Sequence, residues 1–95
     1  MLAMIEIKWT DTDPETGERR FVIAERFGGD WKFQWKSHRR VSWEGELTPT
    51  LDMWERVLDS LQRRYRRRQG VDSHDVEAME KIVKEARRRE ERLRS

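Results

Sequence analysis

Two short stretches of the chain concentrate the groups that bind phosphate. Arg63, Arg64, Arg66, Arg67 and Arg68 fall within residues 61 to 69, which contain no acid, and Lys32, Lys36, Arg39 and Arg40 fall within residues 31 to 43, also without an acid. Clustered guanidinium and ammonium groups neutralise phosphates and release counterions, so nucleic acid is one partner class to weigh, with Arg39, Arg40 and the five arginines after Leu61 as its contacts. Each cluster also has an ordinary structural reading. Cations in the last turn of a helix complement its dipole, and at 100° per residue Arg63 and Arg67 lie opposite the apolar stripe.

The second group is interleaved with Trp31, Phe33 and Trp35, the composition of a platform on which single-stranded bases stack. Strand alternation argues against that use. It turns the three rings to one side and leaves Arg26, Lys32, Gln34 and Lys36 on the other with Val22 and Ala24, so the expected outer face has no ring to offer a base.

Other chemistry is sparse. His74 sits in Asp72-Ser73-His74-Asp75, but a lone histidine is not a zinc site, and the two aspartates three residues apart suit a helix cap. His38 reads as a loop residue. Glu25 is aimed by the expected register at the core, between Ile5 and Phe33, where a lone carboxylate is expensive to desolvate. Such a group could act as an acid, or it marks a bulge, an edge or an arginine partner. No Ser, His and Asp set and no phosphate-cradling glycine loop is present, because Gly28-Gly29 lacks a strand-to-helix context. The expectation is no enzyme, no cofactor and no metal.

The elements that must position these groups follow from periodicity. Ile5, Ile7 and Trp9 alternate with Glu6 and Lys8; Phe21, Ile23 and Phe27 follow a turn-rich stretch; Trp31, Phe33 and Trp35 follow Gly28-Gly29-Asp30; Val41 and Trp43 begin a weaker run. Strands are expected at about 4–10, 19–27, 31–37 and 41–47. A three-residue loop at 28–30 pairs Phe27 with Trp31 and Ile23 with Trp35, the same logic pairs Trp35 with Trp43 and Ser37 with Val41, and the first hairpin pairs Trp9 with Phe21 and Ile7 with Ile23. Every aromatic then shares one face.

Thr48-Pro49 reads as an N-cap and first turn, and Leu51, Trp54, Leu58, Leu61 and Tyr65 as an apolar stripe, giving a helix over 49–68 that Gly70 stops. Val76, Met79, Val83 and Ala86, with Ile82, give a second over 73–92, with Arg87 to Ser95 projecting or fraying. Strands followed by helices predict a single α+β domain: an antiparallel three- to four-stranded meander, then two helices packed on one face of the sheet, with all five Trp in one core.

The stretch Leu47-Thr48-Pro49 running to Trp54, after an antiparallel meander, resembles the strand-to-helix junction of single-stranded DNA binders of the positive cofactor four type. The resemblance covers about residues 41 to 61 and implies single-strand binding without locating residues for it.

Composition sets the remaining bounds. The chain has 95 residues, 42% of them charged with a net +2, yet five Trp, three Phe and one Tyr supply the apolar bulk that disordered chains lack. Without cysteine there are no disulfides or thiolate sites. The N-terminus does not read as a signal peptide, and no run approaches the ~20 apolar residues of a membrane span. The expectation is a cytoplasmic, non-enzymatic interaction module that binds a protein partner or itself as a homodimer, without a membrane role. Its surfaces would be the Met4 to Thr10 edge strand, the Val22 and Ala24 patch and the projecting last helix. Nucleic-acid binding is the alternative.

Overall fold

A computed structural model describes residues 4–94. They fall into two compact units, Met1–Thr48 and Pro49–Ser95. In the first, β1 (Ile5–Thr12), β2 (Arg19–Phe27), β3 (Asp30–Lys36) and β4 (Gly45–Glu46) form an antiparallel sheet in sequence order. The second holds α1 (Leu51–Arg66) and α2 (Ser73–Arg94), completing the expected α+β class.

The two hairpin turns decide which residues share a face. Gly28 takes a left-handed φ of 72° and Gly29 does not, the combination of a two-residue II′ turn, and Phe27 pairs directly with Asp30. In the first hairpin Asp13 donates to the Glu18 carbonyl, Gly17 donates back to Asp13, and the Asp13 carboxylate accepts from Glu15 N–H. Both turns therefore shift β2 by one residue from the aromatic-only register. Ile7 pairs with Ala24, Trp9 with Val22, Ala24 with Phe33 and Val22 with Trp35. The expected three-residue loop and its pairings are corrected here: turn chemistry outweighed the gain from gathering every ring on one side.

β1 and β3 slide by two residues relative to each other, Ile7 now level with Phe33 where Trp35 was expected, so both keep their expected faces and only the strand between them is inverted. On the first face Ile5, Ile7, Val22, Ala24 and Phe33 are buried, and the small residues in the middle let the flanking rings meet above them. Trp9 and Phe33 touch edge to face, their centroids 6.2 Å apart. The expected Val22 and Ala24 surface patch is thus part of the core. Arg20 and Asp11, cross-strand partners on the same face, form a two-pronged ion pair with Nε to Oδ1 at 2.6 Å and Nη2 to Oδ2 at 3.3 Å. The hydrogen bond from Arg20 to Asp11, aided by the attraction of the two charges and opposed by burial, raises the arginine pKa above its usual value. Its contribution is complete below the unfolded-state value and fades only as pH rises through the folded one, so Arg20 stays charged throughout the ordinary pH range.

The fourth strand is shorter than expected and pairs elsewhere. Trp35 meets Gly45 rather than Trp43, Gln34 meets Glu46, and the N–H groups of Glu44 and Leu47 donate to the Trp35 and Phe33 carbonyls. A Cβ on Gly45 would lie 2.8 Å from Trp35 Nε1, so the missing side chain is what admits the indole. The five Trp are divided between the two units. All are partly buried, Trp43 stands beside Lys36, and Trp54 belongs to the helical unit.

In the helical unit Thr50, not Thr48, caps α1, its hydroxyl accepting from Met53 N–H at 3.3 Å. Thr50 has the extended backbone of a cap, φ −92° and ψ 169°, and its carbonyl accepts the first helical bond from Trp54 N–H. The buried row is Met53, Val57 and Leu61, with Leu51, Trp54 and Leu58 partly buried beside it, and Tyr65 is 46% exposed. The end of α1 is set before Gly70. Gln69 N–H donates to the Arg64 carbonyl and Arg68 N–H to that of Tyr65, a Schellman closure with Arg68 itself in the left-handed region at φ 56°. Asp72 and Asp75 cap α2 reciprocally, each carboxylate accepting the other's N–H. Met79 and Val83 are its buried residues, and α2 is helical through Arg94, two residues past the expected end at 92; Ser95 lies outside the described residues. Ion pairs from Arg87 to Glu55, Arg92 to Glu85 and Arg94 to Glu90 line its last turns.

Three substitutions test this description by urea denaturation. Gly45→Ala is expected to cost about 1–3 kcal/mol by overpacking against Trp35, while Gly29→Ala, with open space around it, stays within about 0.5 kcal/mol of the parent. Arg68→Gly removes a left-handed side chain and is expected to stabilise the protein by about 1 kcal/mol. Unchanged or lowered stability in that variant would contradict the assigned helix end.

Candidate nucleic-acid interface

Inverting β2 changes what the second face of the sheet carries. Phe21, Ile23, Glu25 and Phe27 now project beside Lys8 and Thr10 of β1 and Lys32, Gln34 and Lys36 of β3. Ile23 is buried among them, whereas Lys8, Thr10 and Lys32 are exposed and Phe27 is 69% exposed. Phe21 stands between Thr10 and Lys36 in the ladder. A ring therefore lies on the more solvated face, contrary to the sequence expectation.

The segment after β3 folds back beside this ring. Lys36 Nζ donates to the Arg39 carbonyl at 2.9 Å, and Ser37 Oγ donates to Glu44 Oε1 at 2.7 Å. These bonds tie both sides of the turn that carries Arg39 and Trp43. The Arg39 guanidinium lies 5.8 Å from the Phe21 centroid, that of Arg19 lies 6.0 Å from it, and Lys36 Nζ lies 4.6 Å from the Trp43 ring. All three distances fall within the range where a cation is attracted by a ring quadrupole.

Between these groups is a hollow of about 560 Å³ lined by Lys8, Trp9, Thr10, Phe21, Val22, Lys36, Arg39 and Trp43. Three of the lining residues are cationic and none is acidic. Flat apolar surface beside fixed positive charge recognises a planar ring that carries an anion. The opposite end of the face has another character. Glu6, Glu25 and Glu46 lie there with Lys32, whose Nζ reaches Glu46 Oε1 at 3.4 Å, so the face is polarised along its strands.

The residues expected to bind nucleic acid are distributed unevenly. Arg39 lines the hollow, and Arg40 follows it, exposed, in the same turn. Arg63, Arg64, Arg66, Arg67 and Arg68 belong to the other unit. There Arg63 pairs with Asp59 at 2.9 Å, Arg66 Nε donates to the Gln62 carbonyl, and Arg67 and Arg68 close the helix through their backbone N–H groups. Lys8, Phe21 and Trp43 were missed as site residues. The available signal was Gly28-Gly29, since a two-residue turn places Phe21 on the lysine side. Glu25 is corrected as well: it stands between Glu6 and Lys32, not between Ile5 and Phe33, and is only partly buried. His38 and His74 are exposed, and the described residues hold no group of three or more metal-ligating side chains.

No family model, curated protein or solved structure matches the chain.

Proposed function

We propose that the chain binds single-stranded nucleic acid in the hollow beside Phe21. One base stacks against Phe21 or Trp43, or on the Arg39 guanidinium plane, while adjoining phosphates meet Lys8, Lys36 and Arg39. The observation that carries this reading is the juxtaposition of three rings and three cations, without an acid, around one cavity. The volume falls in the range of about 300–1,000 Å³ typical of ligand sites, and a strand is a better fit than a duplex because stacking needs an unpaired base. The acidic end of the face repels a phosphate backbone and confines the strand to the Phe21 end.

Fluorescence anisotropy with labelled oligo-dT and oligo-U, titrated with NaCl, tests the reading. Three phosphate contacts predict a log–log salt slope of about −2. Phe21→Leu keeps an apolar residue at that position but loses the ring, and is expected to weaken binding about 5- to 150-fold, corresponding to about 1–3 kcal/mol. Lys36→Ala with Arg39→Ala should also lower the slope, and Arg63→Ala with Arg67→Ala should leave affinity within about twofold. Loss only in the last variant would move the site to the end of α1, and no anisotropy change at low salt would remove the proposal altogether.

A further inference from the structure

We infer that β1 pairs antiparallel with β1 of a second copy of this chain, centred on Ile7, to form a homodimer with one continuous sheet. In the sheet order β1 is an edge, hydrogen-bonded to β2 on one side. The bond from Asp13 N–H to the Glu18 carbonyl fixes which of its backbone groups face β2. Counting back in twos, Asp11, Trp9, Ile7 and Ile5 bond inward, and Glu6, Lys8, Thr10 and Thr12 direct their N–H and C=O groups to the outer edge. An edge of that length is a template for another strand.

Charge selects the register. Outward-directed residues must pair with outward-directed residues, so the symmetric registers move in steps of one residue about the twofold axis. Centring on Glu6 opposes Glu6 with its own copy, and centring on Lys8 opposes two lysines. Centring on Ile7 sets Glu6 against Lys8 of the second copy and Lys8 against its Glu6, with Ile5 across from Trp9. Opposite charges directly across a ladder attract and like charges repel, so the middle register is favoured over both neighbours.

A second observation agrees. Within one chain Glu6 is the direct cross-strand partner of Glu25, a like-charge pair, and Glu25 is in turn the partner of Lys32. Pairing at Ile7 extends this row, so that Lys8 of the second copy, Glu6, Glu25 and Lys32 stand side by side, each carboxylate flanked by a cation. The inference is independent of the nucleic-acid reading. Of the residues lining the hollow it involves Lys8, Trp9 and Thr10 of β1, and Phe21, Lys36 and Arg39 test that reading separately.

Sedimentation velocity on the full chain across concentration supplies the test. The parent is expected to dimerise, and Glu6→Lys and Lys8→Glu should each weaken self-association by at least about tenfold. Mixing these two variants should give a heterodimer, because each then presents the complement of the other, and the double exchange in one chain should restore the homodimer. Amide exchange at Lys8 and Thr10 should slow as dimer forms. A parent that stays monomeric at all concentrations, or a dimer indifferent to both exchanges, would overturn the inference.

Discussion

In an antiparallel hairpin the number of residues in the loop fixes the parity of everything beyond it, since side chains alternate with a period of two. The two-residue turn at Gly28-Gly29 and the turn closed by Asp13 and Glu18 apply this constraint to both sides of β2. Their combined effect is a middle strand whose small residues face Ile7, Trp9, Phe33 and Trp35, and whose larger ones face the lysines. A different loop at either end would move Phe21 to the other side. The hollow exists because the loops are as they are.

Packing on the first face shows what the arrangement gains. Val22 and Ala24 are nearly inaccessible, which leaves room for Trp9 and Phe33 to touch across the strand between them. Gly45 plays the same part at the opposite edge, where the Trp35 indole takes the space of an absent side chain. Large rings on flanking strands thus pack above small residues in the middle. The cost falls on the second face, where Phe27 remains largely exposed and Glu6 adjoins Glu25.

Much of the fold was legible in the sequence. The strands containing Ile7, Ile23 and Phe33 and both helices lie where alternation and 3.6-residue spacing place them, because those periods are imposed by backbone geometry alone. The reciprocal Asp72 and Asp75 cap was readable for the same reason, being local chemistry. The register of β2 was harder. Its apolar residues Phe21, Val22, Ile23 and Ala24 run without alternation, so hydrophobicity accepts either parity and only the turns discriminate. The candidate site failed with it. Arg39 was visible as part of a cluster, but Phe21 and Trp43 become site residues only through a register and a fold-back. The stripe of α1 shows a smaller ambiguity, since with seven apolar positions the buried row could be centred on Trp54 and Leu58 or on Met53 and Val57.

Each strand of the meander is bonded to the one that precedes it in the chain, with no crossover. Loop closure therefore joins segments only a few residues apart, and the entropy lost before the first stabilising pairs form is small. Assembly can proceed like a zip, with the initial hairpin available once Phe27 has been synthesised and every later strand adding to an edge already present.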